Sequence, residues 1–142
     1  MGRLVGIDMG ELNIGLSISD ESKTIAFPLS VLRRENKSYC LKKTKKLLEG
    51  TGVEAFVVGL PVRSNGECGA ECDEVRAYGE SLRDYFNLEV ILWDERYTTV
   101  LAEKSLLEAD VRRENRRRVI DEVAAQILLQ SYLDHLHHTT SA

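Results

Sequence analysis

The sequence feature that most constrains the fold is a short apolar run near the N-terminus that carries a carboxylate close to its end. Residues 3–9 and 13–20 are typical of two strands joined by a tight turn, and Asp8 lies near the end of the first. A buried charge is strongly unfavourable unless it is paired or bound to a cation. The hairpin therefore predicts a buried sheet in which Asp8 has a counter-charge, with a divalent metal as the first candidate. An acid that accepts hydrogen bonds from turn amides is the alternative.

The rest of the chain favours a single globular domain. It has 142 residues, of which 43% are apolar and 30% charged, which is enough for a substantial core. We expect one domain over residues 1–138 and a frayed tail over 139–142. No apolar run approaches the roughly 18 residues that span a bilayer, so we expect a cytoplasmic protein without a membrane segment. Its three cysteines, Cys40, Cys68 and Cys72, are expected to be free thiols in a reducing compartment, in preference to zinc ligands.

Positive charge is concentrated in two segments of an otherwise acidic chain. The net charge is −4, yet residues 33–46 contain seven basic residues and one acid, and residues 112–118 contain five arginines and one acid. Such patches can bind nucleic acid even on an acidic protein. We interpret the lysines of residues 42–46 as a solvated helix face. The arginine run is polar enough to be a mobile connector, and its position before Asp121 makes it a candidate phosphate clamp.

The pattern of apolar residues predicts the element order β-β-β-α-β-α-β-α-α. The third strand covers residues 24–32, where Pro28 indicates an edge strand or a bulge. Later strands are expected at 55–61 and 88–93. Helices are expected at 38–49, around 75–86, from Thr98 or Thr99 to about Ala109, and at 119–136. This order predicts an α/β fold whose five-stranded mixed sheet combines a three-strand antiparallel meander with two parallel strands, with helices on both faces.

Three carboxylates are expected to meet at one edge of that sheet. Asp8 lies near the end of the first strand and Glu95 just past the fifth, at carboxyl ends that share an edge, and Asp121 lies in the first turn of the last helix. Sites in open α/β sheets lie at this edge. A purely oxygen-donor set suits Mg²⁺ or Mn²⁺. Taken singly, Glu95 could instead pair with Arg96, and Asp121 could favour the helix N-terminus through the helix dipole.

Four blocks of sequence carry a resemblance to a known family. They are Gly6–Asp20, Val57–Pro61, Asp94–Ala102 and Asp121–Leu133. In order and content they resemble the YqgF/RuvX family, described as Holliday junction resolvases or as nucleases of pre-16S ribosomal RNA. The resemblance implies a ribonuclease H-like fold and a metal-binding, catalytic triad of Asp8, Glu95 and Asp121. The family usually has basic residues in the turn after Gly10, whereas this chain has Glu11, Leu12 and Asn13.

The resemblance also implies the activity. It suggests a hydrolase in which two Mg²⁺ or Mn²⁺ ions promote phosphodiester cleavage, with processing of the 5′ end of pre-16S ribosomal RNA as the first substrate and a branched DNA junction as the alternative. A non-catalytic nucleic-acid adaptor is the third possibility. A monomer is favoured, and a dimer would suit a resolvase. The expected nucleic-acid-binding residues are Arg96, Arg112, Arg113, Arg116, Arg117 and Arg118; for Arg96, a salt bridge is an equal alternative.

Overall fold

The computed structural model of the chain describes residues 2–97 and 113–140. Its elements, in chain order, are β1 (Arg3–Met9), β2 (Asn13–Ser19), β3 (Ala26–Arg33), α1 (Lys37–Leu48), β4 (Val53–Leu60), α2 (Ala70–Phe86), β5 (Glu89–Asp94), a 3₁₀ turn (Glu95–Tyr97) and α3 (Arg113–Thr140). None of the helices in these ranges is long and apolar enough to cross a membrane.

The five strands form one mixed sheet in the order β3-β2-β1-β4-β5. The first three pair antiparallel, whereas β4 is parallel to β1 and β5 is parallel to β4. This confirms the predicted meander with two added parallel strands. The parallel pairs arise because α1 and α2 each return the chain to the starting edge before the next strand. The carboxyl ends of β1, β4 and β5 therefore lie at the same edge.

Alternation along β1 directs residues to two cores on opposite faces of the sheet. Val5 and Ile7 are fully buried in the cluster that includes residues of α1 and α2. Leu4 packs instead with Leu129 and Leu133 of α3. Successive strand residues point to opposite faces, so Gly6 and Asp8 share the α3 face with Leu4. Helices thus cover both faces, as predicted.

β3 is an edge strand with an irregular register. Pro28 pairs with Ser17, and the register shifts between Leu16 and Ser17. Proline lacks the N–H that a residue of a central strand would donate to the ladder. The edge position and the bulge that Pro28 predicted are both confirmed. On the α3 side, Gln130 Oε1 accepts from the Ala26 N–H at 2.9 Å, and Gln126 Nε2 donates to the Ala26 carbonyl at 3.1 Å. These bonds hold the edge strand to the last helix.

The arginine-rich segment was wrongly predicted to be a connector. The backbone from Arg113 through Arg118 is already helical, because α3 begins six residues earlier than the predicted start at Val119. Arginine is a strong helix former, and a polar first turn needs no buried face. The predicted helix from Thr98 or Thr99 to Ala109, and Arg112, lie outside the described residues. At its other end α3 continues to Thr140, two residues into the expected frayed tail.

The prediction of three free thiols is also wrong for two of them. Cys68 and Cys72 form a disulfide with a Cα–Cα distance of 5.5 Å, and the free thiol, Cys40, is buried. Cys68 immediately precedes Gly69, the N-cap of α2, and Cys72 lies in the first turn. The start of the helix brings the two sulfur atoms together, which a count of cysteines alone does not reveal.

Candidate functional site

Asp8 lies on the α3 face of the central strand, flanked by glycines on both neighbouring strands. Its side chain is buried, with 1% of the residue exposed. Gly15 of β2 is its antiparallel partner, and Gly59 of β4 comes one residue after Val58, the partner of Ile7. Neighbouring strands are only about 4.8 Å apart, so these glycines leave room beside Asp8 on both sides.

Asp121 fills the space on the β2 side. A Cβ atom on Gly15 would lie 2.8 Å from the Asp121 carbonyl carbon and closer still to its oxygen, and one on Gly10 would lie 2.8 Å from Asp121 Oδ1. Asp121 is buried, with 4% exposed. Ser17 Oγ donates to the Ala125 carbonyl at 2.7 Å, one turn further along α3. The last helix therefore packs its main chain directly on β2.

Glu95 occupies the corresponding space on the β4 side. It opens the 3₁₀ turn after β5, and only 5% of it is exposed. A Cβ atom on Gly59 would lie 2.6 Å from Glu95 Oε1 and 3.0 Å from Leu128 Cδ2 of α3. The carboxylate thus lies over β4 and beneath the last helix, on the same face as Asp8.

The structure therefore brings the three predicted carboxylates to one buried row at the carboxyl edge of the sheet, with Asp8 between Asp121 and Glu95. All the donors are hard oxygens, the class that Mg²⁺ and Mn²⁺ prefer. Within residues 2–97 and 113–140, however, no three Asp, Glu, His or Cys side chains are close enough to hold one ion as they stand. The donor chemistry fits a divalent cation, and the side chains would have to turn inward to share it.

Asn13 is a member of this site that the sequence analysis missed. Its Nδ2 donates to Asp121 Oδ2 at 3.2 Å across 108 residues of sequence, and its carbonyl accepts from the Gly10 N–H at 2.8 Å. The only signal in the sequence was the unusual turn itself. The turn that departs most from the resembled family thus holds one of the three carboxylates.

Arg96 forms the salt bridge that was one of its two predicted roles. Its side chain donates to both carboxylate oxygens of Asp94, with Nη2 to Oδ2 at 2.8 Å and Nε to Oδ1 at 3.2 Å. These bonds hold the pKa of Asp94 below its usual value, although burial opposes the shift. The pair fixes the backbone on either side of Glu95. The guanidinium also lies against the turn at Gly66, where a Cβ atom would be 3.6 Å from Arg96 Nη1.

The remaining predicted nucleic-acid-binding residues precede Asp121 on the same helix. Arg113, Arg116, Arg117 and Arg118 belong to the first two turns of α3, which lead along the chain to Asp121. Arg112 lies outside the described residues. Their role as a phosphate clamp stays a prediction.

Comparison with known proteins gives a consistent relationship over nearly the whole chain. Residues 2–135 match the model of the family described as "RuvX: Holliday junction resolvase". A protein of Clostridium botulinum named "Putative pre-16S rRNA nuclease" is 38% identical over 134 residues, covering 94% of this chain and 98% of that protein. A protein of the same name from Caldanaerobacter subterraneus is 43% identical over 133 residues, covering 93% and 96%.

Solved structures support the fold independently of close sequence similarity. A structure described as T. thermophilus RuvC in complex with Holliday junction substrate superposes with a TM-score of 0.58 at 14% identity, covering 95% of this chain and 96% of that one. A second RuvC structure from Thermus thermophilus gives a TM-score of 0.53 at 15% identity, covering 94% and 96%. At such identities the similarity shows a shared ribonuclease H-like fold.

Proposed function

The chain belongs to the RuvX family, and from that premise we propose that it is a nuclease that hydrolyses phosphodiester bonds of structured nucleic acid. The observation that carries the proposal is the buried row of Asp121, Asp8 and Glu95 at the carboxyl edge of the sheet. Burying three carboxylates side by side is costly for a fold, because their charges are taken out of water. A site that binds divalent cations accounts for that cost.

The three carboxylates would hold one or two Mg²⁺ or Mn²⁺ ions. When bound, such ions supply an activated water and stabilise the leaving oxygen of a phosphodiester. The chain's own part is to hold the donors on rigid elements. The backbone of β1 positions Asp8, Asn13 donates to Asp121, and Glu95 lies between Gly59 and α3, so that only the side chains would have to turn. Leu128 and the packed helix exclude bulk water from one side of the row.

The substrate we propose is the 5′ end of pre-16S ribosomal RNA. The names of the relatives at 38% and 43% identity support it. A four-way DNA junction is the alternative, since the similar RuvC structure holds one. We favour a monomer, because the sequence has no isolated apolar stripe that demands a dimer. The location we propose is the cytoplasm. A catalytically silent adaptor with the same fold would bind nucleic acid without cutting it.

Cleavage assays with matched variants test the proposal. Wild type, Asp8→Asn and the control Asp84→Asn would be incubated with a ribosomal RNA fragment spanning the mature 16S 5′ end and with a four-way DNA junction. Each reaction would be run in Mg²⁺, in Mn²⁺ and in EDTA. Asp84 is 77% exposed on α2, so the same chemical change there should leave cleavage intact.

We expect cleavage that needs a metal ion, is lost in Asp8→Asn and is retained in Asp84→Asn. Preference for the RNA fragment over the junction supports the ribosomal substrate, and the reverse preference supports a resolvase. Cleavage that survives Asp8→Asn, or binding without any cleavage by wild type, would contradict a carboxylate-dependent nuclease.

A further inference from the structure

The lysines of this chain are concentrated on one helix. Five of its seven lysines lie within the twelve residues of α1: Lys37, Lys42, Lys43, Lys45 and Lys46. By contrast, the first turn of α2 carries acidic residues, and the whole chain has a net charge of −4. Helix α1 is therefore a concentration of positive charge on an otherwise acidic chain.

The packing of α1 turns three of these lysines and one tyrosine outward together. Cys40, Leu41, Thr44 and Leu48 face the core. The opposite face carries Tyr39, Lys42, Lys43 and Lys46, all exposed. Their spacing of three, four and seven residues places them side by side over two turns of helix. We call these four residues the lysine face of α1.

The charge on this face is not neutralised within the described residues. Among those residues, the one lysine that forms an ion pair is Lys23, which pairs with Glu54. Lys45 points away from the lysine face, and its Nζ lies 6.0 Å from the Tyr85 ring centroid. Lys42, Lys43 and Lys46 thus present three uncompensated charges to solvent, which is favourable for contact with an anionic polymer.

Tyr39 gives the face a second property. It is 51% exposed, the largest exposure among the described large apolar and aromatic side chains. An exposed aromatic ring among cationic side chains is typical of surfaces that bind single-stranded nucleic acid, where the ring stacks on a base and the cations contact phosphates. A face that is merely solvated needs the lysines but gains nothing from the exposed ring.

Hydrogen bonds connect the start of α1 to the carboxyl edge of the sheet, where the carboxylate row lies. Arg34, three residues before α1, donates its backbone N–H to the Leu12 carbonyl at 2.8 Å and its Nη1 to the Gly10 carbonyl at 2.8 Å. The start of α1 is therefore held at the β1–β2 turn, beside Asn13. From there the twelve-residue helix extends for about 18 Å. α1 packs on the sheet face opposite the carboxylate row, so a nucleic-acid strand would reach the lysine face by passing around the carboxyl edge of the sheet at this turn.

We propose that the lysine face of α1 binds a single-stranded segment that flanks the scissile bond of the substrate. Lys42, Lys43 and Lys46 contact its phosphates, and Tyr39 stacks on one of its bases. This proposal rests on the proposed nuclease function, which it extends by assigning the substrate a single-stranded flank. It replaces the interpretation of these lysines as a solvated face.

Binding measurements in a non-cleaving background test the assignment. Asp8→Asn would carry either Lys42→Ser, Lys43→Ser and Lys46→Ser together or Tyr39→Leu alone. Fluorescence anisotropy would give Kd for one RNA hairpin, blunt or with a single-stranded extension at its 5′ or 3′ end, over a range of salt concentrations. The same hairpins made of DNA would show whether the face distinguishes the two sugars.

We expect an extension at one end to tighten binding, and both variants to lose that gain. Each phosphate contact on a single strand contributes about 0.7 to the slope of log Kd against log salt, so the triple variant should flatten the slope by about 2. Loss of one stacked base costs ~1–3 kcal/mol, which corresponds to a rise in Kd of about fivefold or more for Tyr39→Leu. Circular dichroism would check that both variants fold.

Two control variants separate this surface from general electrostatics. Arg3→Ser, Lys23→Asn and Arg83→Ser together remove three positive charges elsewhere, and Tyr85→Leu removes a tyrosine that is 41% exposed at the end of α2. Both controls should keep the gain from the extension. An unchanged gain and slope in the triple lysine variant, or an equal loss in the controls, would overturn the assignment.

The outcome is separable from that of the nuclease assays. Wild-type cleavage with an unchanged slope in the triple variant would reject the lysine face and leave the nuclease standing. A flattened slope without any wild-type cleavage would retain the binding surface and reject the nuclease.

Discussion

Gly15 packs against the main-chain carbonyl of Asp121, and no space remains there for a methyl group. This contact joins the central hairpin to the last helix and sets the position of Asp121 relative to Asp8, which pairs with Gly15. The separation of helix and sheet at the site is thus fixed by the absence of one side chain.

Replacing Gly15 with alanine should therefore push α3 away from β2. Overpacking of a well-packed contact costs ~1–3 kcal/mol, and the obstructing atoms here belong to backbone, so we expect a loss at the upper end of that range. Chemical denaturation would measure it. Gly79→Ala is the matched control: a Cβ there meets only side-chain atoms, the nearest Val90 Cγ1 at 3.3 Å. We expect it to be neutral or slightly stabilising, because it removes a helix-interior glycine.

Asn13→Leu should impair catalysis more than folding. The change removes the Nδ2 donor that orients Asp121, and a hydrogen bond to a charged group contributes ~1.5–3 kcal/mol. We expect weaker binding of Mn²⁺, measured by calorimetry, and a lower kcat with little change in KM. Leu12→Ala, in the same turn and 41% exposed, is the control. If the two variants bind Mn²⁺ equally well, Asn13 has no positioning role.

Asp20 should stabilise the fold at neutral pH and lose this effect in acid. The Ser22 hydroxyl and the Thr24 and Ile25 N–H groups donate to its carboxylate and lower its pKa from 3.8 to about 2. Because the folded-state pKa is depressed, the contribution is fully present above pH 4 and disappears as the pH falls towards 2. Urea unfolding should show Asp20→Asn destabilised at pH 7 and equal to wild type near pH 2. The exposed neighbour Glu21, changed to Gln, should show no comparable pH-dependent difference.

Reduction of Cys68–Cys72 should destabilise the start of α2. The bridge joins residues four apart in sequence, and the loop-entropy relation for so short a loop gives about 2 kcal/mol. We expect dithiothreitol to lower the free energy of unfolding of wild type and of Cys40→Ser by that order. The variant Cys68→Ser, Cys72→Ser should not respond. An equal response of all three proteins would trace the effect to something other than this disulfide.

Local patterns were sufficient to predict the sheet and the carboxylate row. The apolar run of residues 3–9 indicates a buried strand, and the proline in the third strand indicates an edge position. The helices before the last two strands require those strands to run parallel to the first. Together these patterns place Asp8 and Glu95 at one edge of the sheet. Asp121 was added to this group because it lies in the first turn of the predicted last helix. These predictions succeeded because strand and helix periodicities determine which residues share a face.

Features that depend on distant partners were not accessible in this way. The Asn13–Asp121 bond spans 108 residues, and no local pattern in the turn indicates a partner so far along the chain. The pairing of Cys68 with Cys72 depends on where α2 begins, which the apolar spacing left undefined. The early start of α3 was missed because residues 113–118 contain no apolar residue, and this polarity was interpreted as a connector although arginine favours helix.

The position of Asp121 in the last helix has a consequence for synthesis of the protein. A chain emerging from the ribosome has all five strands, with Asp8 and Glu95, by residue 95, but it lacks the third carboxylate and the helix that covers that face of the sheet. Prematurely terminated products from this region would carry the sheet without a complete set of donors. The proposed catalytic row would therefore be completed only when the last helix has been synthesised and has packed on the sheet.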